Sequence, residues 1–307
     1  MQYYNLNIKP DKKSRSREWL DEKERAPIFF KETRVDELLA VTEENIEGIA
    51  VRHKLTKQQV REARLFCEIG RDKSKWDETL IVTIDEGFIW LYRPDGEIEE
   101  DPNVVEYGDN LNIVKSFHIK VHQRKEIKHI PLILASMKAN QSFSRSTFTT
   151  IRSSSKGNII AIEYLLDSDL HAINQQAQFS PLDCLSSIEL ETLIAKIFES
   201  RGCFVAAYKG GFIAGIDLVV RNLSGSDLGL DGLTIPKGES KSIQVKLKFS
   251  ERDRTESWAD YNISSDPADN PFGGNWIWRQ VIESPMVLEW LKHSLCWLPD
   301  SVWPHQA

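Results

Sequence analysis

The stretch "SIQVKLKF", residues 242 to 249, alternates apolar and polar side chains with a period of two. Successive side chains of a strand point to opposite faces. Ile243, Val245, Leu247 and Phe249 therefore share one face, and Gln244, Lys246 and Lys248 share the other. An earlier apolar run, "GIDLVV" (215–220), sets Asp217 and Val219 opposite Ile216, Leu218 and Val220. Aspartate is disfavoured inside strands, so its place in that run calls for a reason. If the two strands are neighbours, Asp217, Gln244 and Lys246 meet on one polar face beside an apolar core. A sheet with one wet face is the plainer reading, because alternation alone produces it.

Before these strands, "SSIELETLIAKIFESRG" (186–202) has the 3.6-residue apolar spacing of a helix and ends on a glycine stop. Ser186 and Glu189 have capping-box spacing. Glu191 lies at the margin of the stripe formed by Leu190, Leu193, Ile194, Ile197 and Phe198. The expected order is a helix at 187–201 and strands at 203–208, 215–221 and 242–249. The closing segment carries five of the nine tryptophans and reads as a helix packing a last apolar face.

The N-terminal half has a different rhythm. The first thirty residues are polar and read as a partly ordered arm. "TRVDELLAVTEENIEGIAVRH" and "TKQQVREARLFCEI" read as helices, the second capped by Thr56 with Gln59. Strands are expected on either side of Asp85-Glu86-Gly87 and in "NIVKSFHIKVHQ". "IPLILASMKANQSFSRSTFTTI" and "KGNIIAIEYLL" read as helical. The polar, Gln-rich stretch after them has no periodicity. The domains are thus expected at 1–166, an α+β domain choosing the target, and 187–307, with a linker at 167–186.

Net charge is −7, which argues against a generally basic coat. Locally the balance reverses: residues 115 to 156 hold nine Lys and Arg against one acid, Glu126. Lys120, Arg124, Lys125 and Lys128 are the candidate polyanion contacts there, though a solvated face paired with the acids of "DGEIEED" (95–101) would look the same. Four scattered cysteines form no CxxC and read as reduced thiols. No apolar run approaches the roughly 18 residues of a membrane span, and the N-terminus lacks a signal-peptide core, so a cytoplasmic protein is expected. His118 and His122 share a strand face but have no third ligand nearby in sequence.

Three motifs in order carry a resemblance: "ETLIAKIFESRG" from Glu191, "GGFIAGIDL" from Gly210 and "IQVK" from Ile243. Together they resemble the Mrr-like branch of the PD-(D/E)XK nuclease superfamily over residues 180 to 250. Ile213 departs from the pattern where many relatives carry an extra Asp. "SGSDLGLDGLTIPKGES" is an insertion, expected as a surface excursion.

The resemblance implies an α/β fold, with a restriction-endonuclease-like core of a central mixed sheet flanked by helices. It also implies cleavage of DNA in restriction or defence against foreign DNA, with Mg²⁺ as cofactor and Mn²⁺ as substitute. Mg²⁺ takes hard oxygen ligands and keeps several waters. Asp217 is then the obligatory ligand, with Glu191 second and the Gln244 carbonyl or the Val245 main-chain carbonyl as a further oxygen. Lys246 orients or deprotonates the water and offsets phosphate charge, while Lys248 contacts phosphate. A homodimer fits such a protein. A non-catalytic DNA-binding or assembly protein on the same fold, and an RNase, are the rival readings.

Overall fold

The structure, a computed structural model, describes residues 1–9, 14–30, 32–100, 105–107, 110–138, 146–152, 156–167, 180–207, 215–255, 257–269 and 271–303. It divides into two compact units, Met1–Asp169 and Leu170–Ala307. Both are mixed α/β. No helix among the described residues is long and apolar enough to cross a membrane.

In the first unit the main strands are β1 (Gln2–Leu6), β2 (Arg25–Phe29), β3 (Thr79–Asp85), β4 (Phe88–Pro94), β5 (Glu99–Glu100), β6 (Val105–Tyr107), β7 (Asn110–Asn112), β8 (Val114–Glu126) and β9 (Phe148–Ile151). The sheet runs β2-β8-β4-β3-β1-β9, with β5 paired to β8 and β6-β7 a separate hairpin. β1 lies parallel to β3 and antiparallel to β9. Pro27 can sit in β2 because an edge strand needs no second ladder.

The helices are α1 (Val35–Leu39), α2 (Ile46–His53), α3 (Lys57–Arg71), α4 (Leu132–Met137) and α5 (Lys156–Leu165). Thr56 caps α3 by accepting from the Gln59 amide at 3.1 Å, and its own amide donates to the Gln59 side chain at 2.8 Å. Phe66 of α3 stacks on Phe117 at 4.6 Å and meets Phe148 edge-on at 5.3 Å, tying this helix to β8 and β9.

Several expectations for this unit are corrected. The N-terminal residues are not an arm. Tyr4, Leu6 and Ile8 are buried, and β1 lies inside the sheet. Their period-two spacing was hidden by the polar residues around them. "TRVDELLAVTEENIEGIAVRH" forms two short helices with Asn45 between them, whose side chain accepts from the Thr42 amide. Among its described residues, "IPLILASMKANQSFSRSTFTTI" is helical at α4 and becomes a strand at β9, where β-branched Thr149, Thr150 and Ile151 favour a strand. Residues 139–145 and the Ser-rich joint at 153–155 lie outside the described residues.

Among the described residues, several cations of the basic segment are buried or paired. Lys115 is fully buried and donates to Phe30 O, Thr33 Oγ1 and Ile113 O at 2.9–3.1 Å. Arg124 pairs with Asp21 at 3.2 Å and stacks over Phe88 at 4.1 Å. Lys128 pairs with Glu126 at 2.6 Å, and Lys138 with buried Asp85. Lys120 is exposed and Lys125 half-buried. Three acids of "DGEIEED" pair elsewhere: Glu97 with Lys73, Glu99 with Arg25 and Glu100 with Arg34.

In the second unit, α6 (Ser187–Glu199) lies on a four-stranded sheet of β10 (Cys203–Ala207), β11 (Leu218–Asn222), β14 (Ser240–Lys246) and β15 (Tyr261–Ser264), in the order β10-β11-β14-β15. The first three strands are antiparallel in sequence, and β15 joins β14 in parallel. The insertion is corrected from a surface excursion to a packed hairpin, β12 (Leu228–Leu230) and β13 (Leu233–Ile235). Its turn, Asp231-Gly232, has positive φ at both residues, which suits a tight hairpin. Leu230, Leu233 and Ile235 are buried, and Trp276 donates its indole N–H to Leu230 O at 3.4 Å.

α7 (Glu251–Thr255) precedes β15, and the C-terminal segment folds as two helices, α8 (Gly274–Ile282) and α9 (Pro285–Ser294). Pro285 opens the second, since proline suits the first helical turn. Trp276 and Trp303 are buried, and Trp278, Trp290 and Trp297 half-buried, as packing residues should be.

Burial pushes the Lys115 ammonium down to about 8, with the Glu100 carboxylate pulling the other way. The unfolded chain then binds the extra proton between about pH 8 and 10.5, so stability should rise with pH across that window. The full effect of one such lysine is roughly 3 kcal/mol. Urea unfolding at either end of the window should show the rise, and Lys115→Met should flatten it. An equal slope in the variant would mean that another group titrates.

Candidate functional site

α6 begins with a closed cap. Ser186 Oγ accepts from the Glu189 amide at 3.3 Å, and the Ser186 amide donates back to Glu189 Oε2 at 2.9 Å. Glu189 is therefore engaged in capping the start of the helix. Two residues later, Glu191 is half-buried and faces the sheet with its charge uncompensated by any capping role. Leu190, Leu193, Ile194, Ile197 and Phe198 are all buried, so α6 lies on the sheet by the stripe that the spacing predicts.

The chain enters β11 through Gly215, whose φ of +80° is a conformation that favours glycine. Asp217 follows, immediately before β11 rather than inside it, which corrects the expected strand at 215–221. This removes the conflict with strand propensity. The Asp217 amide donates to Ile243 O at 2.9 Å, and Asp217 Oδ2 accepts from the Val245 amide at 2.7 Å. The carboxylate thus takes the place of a main-chain carbonyl at the end of the ladder. A charge-assisted bond of this kind helps to hold a carboxylate that is only 9 % exposed.

The register sets Leu218 opposite Ile243, so β14 carries its next residues past the mouth of β11. Lys246 Nζ lies 3.8 Å from Asp217 Oδ2. Gln244 is buried, and its Oε1 has no hydrogen-bond partner among the described residues. Such an orphaned acceptor is costly to bury. Asn262 of β15 stands opposite Gln244, and Ser264 opposite Lys246.

Glu191 completes the group. Burial, and next the Asp217 charge, raise its carboxyl above the ordinary range, while Lys246 lowers it. Asp217, Glu191, Gln244 and Lys246 are therefore brought together, with Val245 entering through its main-chain N–H. Lys248 is not part of this group. β14 ends at Lys246, so the alternation stops there; Leu247 is exposed and Lys248 pairs with Asp266 at 3.2 Å. The diglycine Gly210-Gly211 and Ile213 lie outside the described residues.

Among the described residues, no group of three or more His, Cys, Asp or Glu could hold a metal ion. A hard divalent cation does not require one, because Mg²⁺ needs only one or two carboxylates beside waters. The two carboxylates and the orphaned Gln244 oxygen are the oxygen donors that such an ion takes, and they fit it.

The histidine pair on β8 does not make a rival centre. His118 lies 3.0 Å from an Arg25 nitrogen, and burial, Arg93 and Lys120 together lower the proton affinity of His122. Neighbouring cations oppose a metal there. Cys67, Cys184 and Cys203 are buried free thiols, and Cys296 is exposed and free.

The alternation of β14 signals Gln244 and Lys246, but it gives no hint of Trp258. This tryptophan is 81 % exposed beside Gly215 and Gln244. Neither a protein-family model, nor a curated protein, nor a solved structure matches this chain.

The electrostatic grouping can be tested by carbon-13 NMR titration of the Glu191 carboxyl. Lys246→Met should move its pKa further up, and Asp217→Asn should move it down. If neither substitution shifts it, Glu191 does not share a field with the other two.

Proposed function

We propose that the second unit is a metal-dependent endonuclease that hydrolyses DNA phosphodiester bonds, with the restriction-endonuclease-like core that the Mrr-like motifs imply. The observation that carries this reading is the meeting of Asp217, Glu191, Gln244 and Lys246 at the open end of β11 and β14, with the Gln244 oxygen buried and unpaired. Buried carboxylates with an unmatched oxygen beside a lysine favour a cation and an anionic substrate over a purely structural ion pair.

Asp217, Glu191 and a carbonyl of Gln244 or Val245 would hold a divalent ion, which would supply positive charge against the phosphate and acidify a water. The residues of the chain do the rest. The Val245 N–H fixes one oxygen of Asp217, so the other keeps a set direction. Lys246, partly exposed, offsets charge on the phosphate oxygens and orients the attacking water. In the reaction, water oxygen bonds to phosphorus and gives up a proton to solvent, the bond to the departing sugar oxygen breaks, and that oxygen takes a proton from solvent. Restriction or defence against foreign DNA is the setting that the motifs suggest.

The test is incubation of the purified protein with plasmid, linear DNA and RNA in Mg²⁺, Mn²⁺ or EDTA. DNA should be cut only with metal. Asp217→Ala and Lys246→Ala should each lower the rate by about two orders of magnitude or more while the fold persists. Glu191→Gln should raise the metal concentration needed, whereas Glu189→Gln, which acts on the helix cap, should keep cleavage and lose roughly 1 kcal/mol of stability. Full cutting by folded Asp217→Ala or Lys246→Ala would overturn the assignment. Metal-independent binding without cutting would favour a nuclease fold kept for binding, and preferential cutting of RNA would make the protein an RNase.

A further inference from the structure

Nine tryptophans occur in the chain, and eight are buried or half-buried. Trp258 alone is exposed, at 81 %. Exposing an indole forfeits a large apolar contact area, so its place is informative. Trp258 lies between α7 and β15, and a Cβ built on Gly215 would lie 3.4 Å from the Trp258 amide nitrogen and 3.6 Å from Gln244 Nε2. The loop bearing the indole therefore rests on the turn that leads into Asp217.

That loop is held firmly. Ser257 Oγ donates to Asn262 Oδ1 at 2.7 Å and accepts from the Ala259 amide at 3.3 Å. Asp260, one residue further, accepts from the Ser242 amide and hydroxyl, both at 2.8 Å. Trp258 is thus fixed at its base on both sides while its side chain meets solvent. Lys246, at the end of β14, is the cation of the group that this loop adjoins.

We propose that Trp258 is a stacking platform for an unpaired nucleobase, placed beside the phosphate that Lys246 and the carboxylates address. The proposal rests on the phosphodiesterase reading of the same site. A flat aromatic face next to a phosphate position binds a base through stacking, which is tolerant of sequence, and it needs a base freed from its partner. It makes the preferred substrate a single strand, a frayed end or an opened step of a duplex, rather than a closed duplex read from its grooves. Trp258 is in this sense a positioning residue: it holds the strand and leaves the reacting atoms to others.

The experiment measures binding in EDTA, so that no cleavage is required. The probes are a short oligothymidine strand, the same strand with abasic sites, and a blunt duplex, against the full chain. Wild type should bind the thymidine strand more tightly than the abasic one. Trp258→Ala should weaken thymidine binding by about 5- to 100-fold, down to the abasic level, with little effect on the abasic strand. Trp258→Phe should retain most of the affinity. Tryptophan emission should be quenched by the thymidine strand in wild type and much less in Trp258→Phe. Equal binding of thymidine and abasic strands by wild type, or unchanged affinity in Trp258→Ala, would overturn the platform, as would a duplex bound best and with the same dependence on Trp258. Cleavage in Mg²⁺ is scored separately. Stacking without cutting would sink the nuclease reading alone, and cutting without any role for Trp258 would sink the platform alone.

Discussion

The Val245 amide donates to the Asp217 carboxylate at 2.7 Å, and the second unit is arranged around that bond. β14 runs beyond the end of β11, so its next amide would otherwise face a gap in the ladder. A side-chain oxygen fills the gap, because the turn at Gly215 brings Asp217 back over the neighbouring strand. One residue therefore ends a strand pair and sets a nearly buried negative charge at the sheet's open end. Lys246 lies close because it is the next residue on β14, and Glu191 lies close because the apolar stripe of α6 must cover the same sheet. The field of Asp217 on Glu191 is a consequence of this packing.

The hairpin of β12 and β13 supports this arrangement from the other end of β11. Asn222, at the end of β11, donates its side-chain amide to Ser226 O at 2.9 Å and Ile235 O at 2.8 Å, which closes the hairpin onto the sheet. Buried Trp276 and the hydroxyl of Tyr261, which donates to Thr234 O at 2.9 Å, bind it to α8 and β15. The long excursion between the two strands of the site is thereby part of the apolar core. Its removal would leave Trp276 uncovered, a cost of the kind expected for a large core cavity.

In the first unit, charge is organised by burial and pairing more than by sequence position. Lys115 is enclosed by three oxygens, and Arg124 is laid across Phe88 towards Asp21. A charge run along a chain alternates between the faces of a strand, and inward-pointing members must find partners. A surplus of lysine and arginine in one stretch is therefore not by itself a basic surface. Glu97, Glu99 and Glu100 illustrate the same point, since they are matched by Lys73, Arg25 and Arg34 from distant stretches.

The local devices follow from the order of residues alone. The capping boxes at Thr56 and Ser186, the apolar stripe of α6, the hairpin at Glu86-Gly87 and the alternation through Gln244 and Lys246 follow from residue type and short spacing, because their partners lie within a few residues. Glu191 and Asp217 were legible as candidates for the same reason. Tertiary structure decided what depends on distant partners. β1 is a strand because β3 and β9 flank it, the Leu228–Ile235 hairpin is core because α8 lies over it, and Lys248 leaves the site because β14 stops at Lys246. It also decided that Asp217 precedes its strand and bonds an amide 28 residues away. Hydrogen bonds and burial of that range are set by the packing of whole elements, and no local period in the chain records them.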